Sequence, residues 1–192
     1  MADPAADPVT LPIGATAPDF DLPAVGGGRV SLEDYADADV FVYVQGCNHC
    51  PYVLASIDRL SGIARDYEGR GVRFVMVNSN DADQYEDDSF EAMERFRDEH
   101  ELPFPYLHDE DQSVARAYRT VRTPEVLVFD RDRTLRYHGR IDDAPKDAAA
   151  ATTRELRDAL DAILDGREPD PAETWAIGCT VKWKPGASPH EA

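Results

Sequence analysis

The sequence predicts an α/β domain with a central mixed sheet flanked by helices, and three observations support that fold class. Apolar runs at residues 40–44 and 72–77 are rich in β-branched and aromatic side chains, which is typical of strands covered on both faces. Between these runs, apolar residues recur at three- and four-residue intervals over residues 53–67, which indicates an amphipathic helix. Apolar runs at residues 126–129 and 135–141 predict an antiparallel hairpin. The first two strands and the helix between them form a β–α–β unit, which is nearly always parallel and right-handed.

Shorter signals predict the elements around this frame. Short extended pieces on either side of glycines 26–28 predict an N-terminal β-hairpin. Asp88, with Glu91 three residues on, predicts the start of a second helix that ends before Pro103. Residues 112–118 are expected to form a further short helix.

The last helix should begin at a capping box formed by Thr152 and Glu155 and should end at Gly166. The predicted order after the hairpin is then β–α–β–α–β–β–α. A Cys-x-x-Cys segment falls at the first strand-to-helix junction, at residues 47–50. This combination is the secondary-structure pattern of a thioredoxin-like fold. The site should lie at the carboxyl ends of the parallel strands, where open α/β sheets bind ligands.

The chain is predicted to have three parts: a flexible lead-in (1–12), a thioredoxin-like domain (13–166) and a tail (167–192) that carries Gly-Cys-x-x-Lys-Trp-Lys. Its 192 residues are enough for one full core but few for two. The sequence has no apolar run of roughly eighteen residues, and its N-terminus lacks the basic and apolar stretches of a signal peptide. We therefore expect a cytoplasmic protein that does not use a membrane.

Acidic residues dominate the composition, with 38 Asp and Glu against 20 Lys and Arg and a formal net charge of −18. Nucleic acid is therefore not an expected partner. Only three of the basic residues are lysines, at positions 146, 182 and 184. Carboxylates crowded on a surface repel one another in dilute buffer. At molar salt the Debye length falls to about 3 Å, and this repulsion is largely screened. The composition predicts a halophilic protein; the alternative is an ordinary acidic one.

The three cysteines, Cys47, Cys50 and Cys179, are too few for a disulfide scaffold, and a close pair in a reducing compartment indicates a redox or metal site. At the start of a helix, unpaired backbone N–H groups favour a thiolate. We therefore expect Cys47 to attack a disulfide and the less exposed Cys50 to resolve the mixed disulfide. His49 would stabilise the Cys47 thiolate; the alternative is a surface histidine with no electronic role.

Two other interpretations of the cysteine pair remain. Free cysteines often serve as small buried hydrophobic residues, but Gly46, Asn48 and Pro51 mark a junction between elements here. Cys-x-x-Cys is also half of a zinc site. Because Cys179 is far along the chain and the other histidines are scattered, we expect neither a metal nor a bound cofactor.

Several motifs of the sequence together resemble a known family. The motifs are Ala17-Pro18-Asp19-Phe20-x-Leu22, Gly46-Cys47-Asn48-His49-Cys50-Pro51-Tyr52-Val53, Val77-Asn78-Ser79-Asn80-Asp81, Phe104-Pro105-Tyr106-Leu107-x-Asp109, Thr123-Pro124-Glu125 and Ile177-Gly178-Cys179-Thr180-Val181-Lys182-Trp183-Lys184. They resemble the thioredoxin-like redoxins that are grouped with the alkyl hydroperoxide reductase/thiol-specific antioxidant family. The likeness covers about residues 13–185, and its specific pieces are Cys-Asn-His-Cys-Pro and Gly-Cys-x-x-Lys-Trp-Lys.

The resemblance implies a redox-active Cys47 and Cys50 and a cis peptide bond between Thr123 and Pro124 that lies against the pair. The chain departs from thioredoxins proper, which have Trp-Cys-Gly-Pro-Cys and a buried Asp where this sequence has Phe41. It also lacks the Pro-x-x-x-Thr-x-x-Cys motif that is typical of peroxiredoxins.

A thiol–disulfide oxidoreductase is therefore the expected function. Its partners would be protein or small-molecule disulfides and a cellular thiol reductant. A thiol peroxidase with an antioxidant role is the alternative enzyme, and a redox-sensing or metal-binding module is the alternative outside enzymes. Cys179 is either a structural cysteine in a short extended segment or a third redox cysteine that exchanges with Cys47 or Cys50.

Overall fold

A computed structural model describes residues 10–188 of the protein. The strands are β1 (Asp21–Pro23), β2 (Arg29–Ser31), β3 (Val40–Gly46), β4 (Val72–Asn78), β5 (Tyr106–His108), β6 (Arg122–Thr123), β7 (Glu125–Phe129), β8 (Leu135–Gly139) and β9 (Cys179–Thr180). The helices are α1 (Pro51–Glu68), α2 (Phe90–Glu99), α3 (Ser113–Tyr118) and α4 (Glu155–Leu164), and short 3-10 turns occur at Leu32–Tyr35, Glu86–Asp88 and Ala148–Ala150. No helix in the described range has both the length and the apolar composition needed to cross a membrane.

The core of the fold is a five-stranded mixed sheet with the order β5-β4-β3-β7-β8. β3 pairs in parallel with β4 and antiparallel with β7, and β7 and β8 form the predicted antiparallel hairpin. β1 and β2 form the predicted N-terminal hairpin. These pairings confirm the predicted α/β fold, in which a central mixed sheet is flanked by helices and extended by the hairpin.

Side chains of β3 alternate between the two faces of the sheet, as the twofold period of a strand requires. Val42 and Val44 face a cluster that contains the buried sides of α1, α2 and α4 and also both cysteines of the pair. Phe41 and Tyr43 face a second cluster, built with the N-terminal hairpin and α3. Apolar layers on both faces explain why every residue of β3 is buried. They also place the Cys-x-x-Cys segment, which follows β3 directly, against the first cluster.

Two helix starts differ from the sequence prediction. Helix α2 is capped by Ser89, whose hydroxyl accepts a hydrogen bond from the Ala92 N–H, so Asp88 is not the cap. Asp88 instead turns inward and is completely buried. Helix α4 begins at Glu155, and the predicted capping box with Thr152 is wrong.

The carboxylate of Glu155 is used elsewhere, which explains the missing capping box. It accepts hydrogen bonds from Arg140 at 2.5 and 2.9 Å, and the Thr152 hydroxyl donates to Asp143. Strand β5 was absent from the sequence prediction because three residues are too few to show a period. Packing begins earlier than the predicted boundary at residue 13, since Leu11 is buried in the second cluster; residues 1–9 of the predicted lead-in lie outside the described range.

The tail folds back onto the domain as an extended segment, as its alternating apolar residues predict. Strand β9 pairs antiparallel with β6, so that Cys179 lies opposite Thr123. Val181 is buried, and its N–H donates to the Val121 carbonyl oxygen at 3.1 Å. The tail therefore reaches the loop that borders the cysteine pair.

Candidate redox site

The cysteine pair lies at the carboxyl end of the central strand β3 and at the start of α1. Both thiols are completely buried, so the expectation that Cys50 is the less exposed of the two is wrong. The helix begins at Pro51, and Cys50 is its N-cap residue. Consequently Cys50, and not Cys47, occupies the position where unpaired backbone N–H groups favour a negative charge.

Thr123, the last residue of β6, contacts both sulfur atoms. The peptide bond between Thr123 and Pro124 is cis, as predicted. The Cys50 Sγ lies 3.1 Å from the Thr123 carbonyl oxygen, and the Cys47 Sγ lies 3.5 Å from the Thr123 Oγ1. Each of the two thiols also shifts the pKa of the other. The site residues predicted on the β3–α1 junction and on this segment are therefore neighbours in the structure.

Hydrogen bonds to Cys50 lower the pKa of its thiol well below the usual range. The donors are first the Cys47 thiol, then the Cys179 thiol, the Thr123 hydroxyl and the Val53 N–H, and together they outweigh the cost of burial. The Thr123 carbonyl oxygen acts in the opposite direction, because it accepts a hydrogen bond from a protonated Cys50. The lowered pKa and the N-cap position both favour negative charge on Cys50 rather than on Cys47.

The pKa of Cys47 is raised. The first cause is its hydrogen bond to Cys50, followed by burial and by the negative charge of Asp88. These causes favour a protonated Cys47 in the reduced pair. Their direction is opposite to the expectation from the sequence, in which Cys47 lay at the start of the helix, whereas the N-cap of α1 is Cys50.

Asp88 is a buried carboxylate that the sequence analysis did not place in the site. It accepts hydrogen bonds from the Asn48 N–H at 2.7 Å, the Asn80 side chain at 2.7 Å and the Asn78 side chain at 3.2 Å. Its Oδ2 also lies 2.6 Å from the Nδ1 of His49. The signal that could have found these residues is the polar segment after strand β4, at the edge where ligand sites of α/β sheets occur.

His49 is oriented by contacts on two sides. Its ring stacks on Tyr85 with centroids 5.5 Å apart, and its Nδ1 faces Asp88. Its side chain is 25% exposed, so the description of a free surface histidine does not fit. Ligand atoms of Cys47, His49 and Asp88 lie within 4.8 Å of one another and could hold a metal ion. The sequence-based argument against a metal considered cysteines and histidines only and overlooked Asp88.

The third cysteine also belongs to this cluster. Cys179 lies opposite Thr123 in the β6–β9 pairing, and its side chain packs against the same apolar cluster as the pair. Cys179 also lowers the pKa of Cys50. Burial raises the pKa of Cys179 to about 11, while the nearby Lys182 and Lys146 act in the opposite direction. Two of the three lysines in this strongly acidic chain therefore influence one thiol.

A buried carboxylate supports the segment that carries Thr123. The Glu125 carboxylate accepts hydrogen bonds from the N–H groups of Val121 and Arg122, both at 2.7 Å. Its other oxygen lies 2.5 Å from the Nε2 of His138 on the neighbouring strand β8. Glu125 was named in the sequence only as part of a motif, and its role as an acceptor depends on a loop geometry that the sequence does not show.

A Cys-x-x-Cys segment at the end of the central strand, beside a cis-proline loop, defines a thioredoxin-like fold. A solved structure that shares this fold is the thioredoxin domain of thiol-disulfide oxidoreductase BVU-2223 from Bacteroides vulgatus. Its TM-score is 0.57 and its identity 16%, and the match covers 66% of this chain and 86% of that one. The chain belongs to the AhpC/TSA family, whose model matches residues 13–138.

Two proteins of Geobacillus kaustophilus are similar to the chain at different levels. The crystal structure of an uncharacterized conserved protein has a TM-score of 0.87 and 44% identity, and covers 92% of this chain and 94% of that one. The thiol-disulfide oxidoreductase ResA is 28% identical over 122 residues, which are 62% of this chain. The match covers 64% of the length of that curated relative.

Proposed function

We propose that the protein is a thiol–disulfide oxidoreductase in which Cys47 and Cys50 cycle between a dithiol and a disulfide. The observation that carries this proposal is a pair of buried cysteines that both contact Thr123, with Cys50 at the N-cap of α1, where a thiolate is favoured. A thiolate beside a second thiol is what disulfide exchange requires. The similarity to ResA, a thiol-disulfide oxidoreductase, supports the same activity.

The proposed reaction consumes one substrate disulfide and oxidises the pair. The Cys50 thiolate attacks one sulfur of the substrate, forms a mixed disulfide and releases the other half as a thiol. Cys47 then gives up its proton and attacks the Cys50 sulfur, which releases the second substrate thiol and leaves a Cys47–Cys50 disulfide. In this proposal the roles of attacking and resolving cysteine are the reverse of those expected from the sequence, because Cys50 is the N-cap residue of α1 and has the lowered pKa.

The substrates in this proposal are protein or small-molecule disulfides. A cellular thiol reductant would regenerate the pair in the cytoplasmic location expected from the sequence. Thr123, which precedes the cis bond to Pro124, positions the two sulfur atoms, and His49, which faces Asp88, lies near Cys47.

Serine variants in a Cys179→Ser background test which sulfur attacks first. Glutathione disulfide is the probe, and mass spectrometry after acid trapping locates the adduct. In the Cys47→Ser background the glutathione adduct should form on Cys50 at least about tenfold faster than it forms on Cys47 in the Cys50→Ser background, because only the thiolate attacks. Failure of both variants to react, with no disulfide in the unmodified protein, would refute the proposed activity. Rapid peroxide consumption with a sulfenate on either cysteine would instead support a thiol peroxidase.

Metal binding is a second candidate function, favoured by the Cys47, His49 and Asp88 cluster. Thiolate, imidazole and carboxylate are all ligands of Zn²⁺. Titration of the reduced protein with Zn²⁺ against a colorimetric chelator tests this function. Stoichiometric binding that is lost in Asp88→Asn would support it, and weak binding equal in both proteins would exclude it.

A further inference from the structure

The tail strand holds Cys179 against the cysteine pair through the main chain. Gly178 packs directly on the loop that borders the pair: a Cβ added to Gly178 would lie 2.2 Å from the Thr123 carbonyl oxygen. Beyond β9, the Lys182 N–H donates to the Asn80 Oδ1 at 2.8 Å, and the Lys182 carbonyl oxygen accepts from the Gln112 Nε2 at 2.9 Å. These contacts fix the strand on both sides of Cys179, whose side chain packs against the apolar cluster that contains Cys50.

Exposure differs sharply among the three thiols. Cys47 and Cys50 are fully buried, whereas Cys179 is partly exposed. Cys50 and each of the other two cysteines shift one another's pKa, so Cys50 is the sulfur that the two proposed disulfides share. An external thiol therefore reaches Cys179 more readily than it reaches the buried pair.

From this arrangement we propose that Cys179 is a third redox cysteine that connects the buried disulfide to an external reductant. The inference rests on the proposed function of the Cys47 and Cys50 pair. In the oxidised protein, the Cys179 thiolate attacks the Cys50 sulfur. A Cys50–Cys179 bond forms, the Cys47–Cys50 bond breaks, and Cys47 leaves as a thiolate that takes up a proton. The exchange moves a disulfide without net oxidation or reduction.

The reductant, a low-molecular-weight or protein thiol, then completes the cycle. One reductant thiolate attacks Cys179, forms a mixed disulfide with it and releases Cys50 as a thiolate. A second reductant thiolate attacks the reductant sulfur of that mixed disulfide, which releases Cys179 and one oxidised reductant. Two electrons pass from two reductant thiols to the former Cys47–Cys50 disulfide.

The charge around Cys179 changes in the direction that this exchange needs. In the reduced protein, the hydrogen bond to Cys50 and the charge on Cys50 both raise the pKa of Cys179. Once Cys50 is in a disulfide it carries no charge, so these two causes disappear while Lys182 and Lys146 remain. The thiolate of Cys179 thus becomes easier to form in the state in which it has a disulfide to attack.

Cysteine variants with peptide mapping test the exchange. Cys47→Ser is oxidised with glutathione disulfide, its free thiols are blocked in acid, and disulfide-linked peptides are identified. We expect an intramolecular Cys50–Cys179 disulfide in Cys47→Ser, and in a second variant, Cys47→Ala, in case serine disturbs the buried site. Cys50→Ser is the matched control and should form no Cys47–Cys179 disulfide. Free thiols or glutathione adducts alone in the Cys47 variants, or a Cys47–Cys179 disulfide in the control, would overturn the relay.

The rate of reduction gives a second readout that separates this inference from the proposed function. Cys179→Ser should still form the Cys47–Cys50 disulfide, but glutathione should reduce it about tenfold more slowly, because access governs exchange rates. Lys182→Gln should shift the pH profile of reduction upward, with Lys184→Gln as its control. Normal Cys47–Cys50 oxidation with an unchanged reduction rate would overturn the relay alone. A protein that never forms the Cys47–Cys50 disulfide would overturn the proposed function and the relay together.

Discussion

Replacing Gly178 by alanine tests whether the tail strand is packed against the backbone of Thr123 as closely as the structure shows. The added Cβ would lie 2.2 Å from the Thr123 carbonyl oxygen and 2.7 Å from its carbonyl carbon, whereas an ordinary contact is 3.4–4 Å. Both neighbours are backbone atoms that cannot rotate away. The tail and the loop must therefore move apart by about 1 Å, a typical consequence of overpacking.

The cost of this movement follows from measured effects of overpacking. We expect a loss of about 1–3 kcal/mol in the free energy of unfolding, which corresponds to a melting temperature lower by about 2–12 °C in a domain of this size. The movement also takes Cys179 away from Cys50 and weakens one of the hydrogen bonds that lower the pKa of Cys50. Gly178→Ala should therefore raise the pKa of the Cys50 thiol as well as destabilise the fold.

Thermal unfolding of the reduced protein, together with the pH dependence of thiolate absorbance, measures both effects. Gly62→Ala is the matched control, because Gly62 lies within α1 and a Cβ there would meet nothing within 4 Å. That control should stabilise the protein by about 0.5–1 kcal/mol, the usual gain from removing a helical glycine. A melting temperature of Gly178→Ala equal to or above that of the unmodified protein would refute the close packing of the tail.

Three further predictions concern charge. First, the thiolate absorbance of the reduced protein should persist below neutral pH and be lost in Cys50→Ser; a single titration near 9 would contradict the lowered pKa of Cys50. Because the unfolded chain keeps that proton to higher pH, stability of the reduced protein should rise with pH between the lowered pKa and the ordinary value of 9.0. Second, Glu125→Gln should lower the free energy of unfolding in urea by about 1–3 kcal/mol. The amide has one acceptor oxygen, whereas the carboxylate uses one oxygen for the Val121 and Arg122 N–H groups and the other for His138. An unchanged urea midpoint would contradict this role of Glu125. Third, the melting temperature should rise from dilute to molar KCl as self-repulsion of the −18 charge is screened, and a flat series would refute the halophilic prediction.

The fold could be predicted to a large extent because its signals are local. The apolar run that became β3 and the periodic apolar residues of α1 lie close together in sequence and need each other for burial. The starts of α2 and α4 were misplaced for a common reason. Asp88 and Glu155 both match the cap pattern, but each carboxylate accepts hydrogen bonds from a residue distant in sequence. The Asn48 N–H donates to Asp88, and Arg140 donates to Glu155.

The candidate site could be predicted only in part. The spacing of Cys47 and Cys50 identifies them from the sequence. Cys179 comes near them only through the pairing of its strand with Thr123, which is more than fifty residues away in the chain. The distribution of charge within the pair depends on which residue is the N-cap of α1. A shift of three residues, which is common for helix boundaries predicted from sequence, moves that position from Cys47 to Cys50.

A redox titration of the unmodified protein tests the central claim most directly. The protein is equilibrated in dithiothreitol or glutathione buffers, its thiols are alkylated in acid, and the modification of Cys47 and Cys50 is measured at each potential. As the potential rises, both cysteines should become resistant to alkylation together, in one two-electron transition. Its midpoint should lie above that of thioredoxin, roughly −270 mV, because a stabilised Cys50 thiolate favours the reduced form. Thiols that remain alkylated at every potential, or that are lost independently of each other, would contradict a redox-active pair.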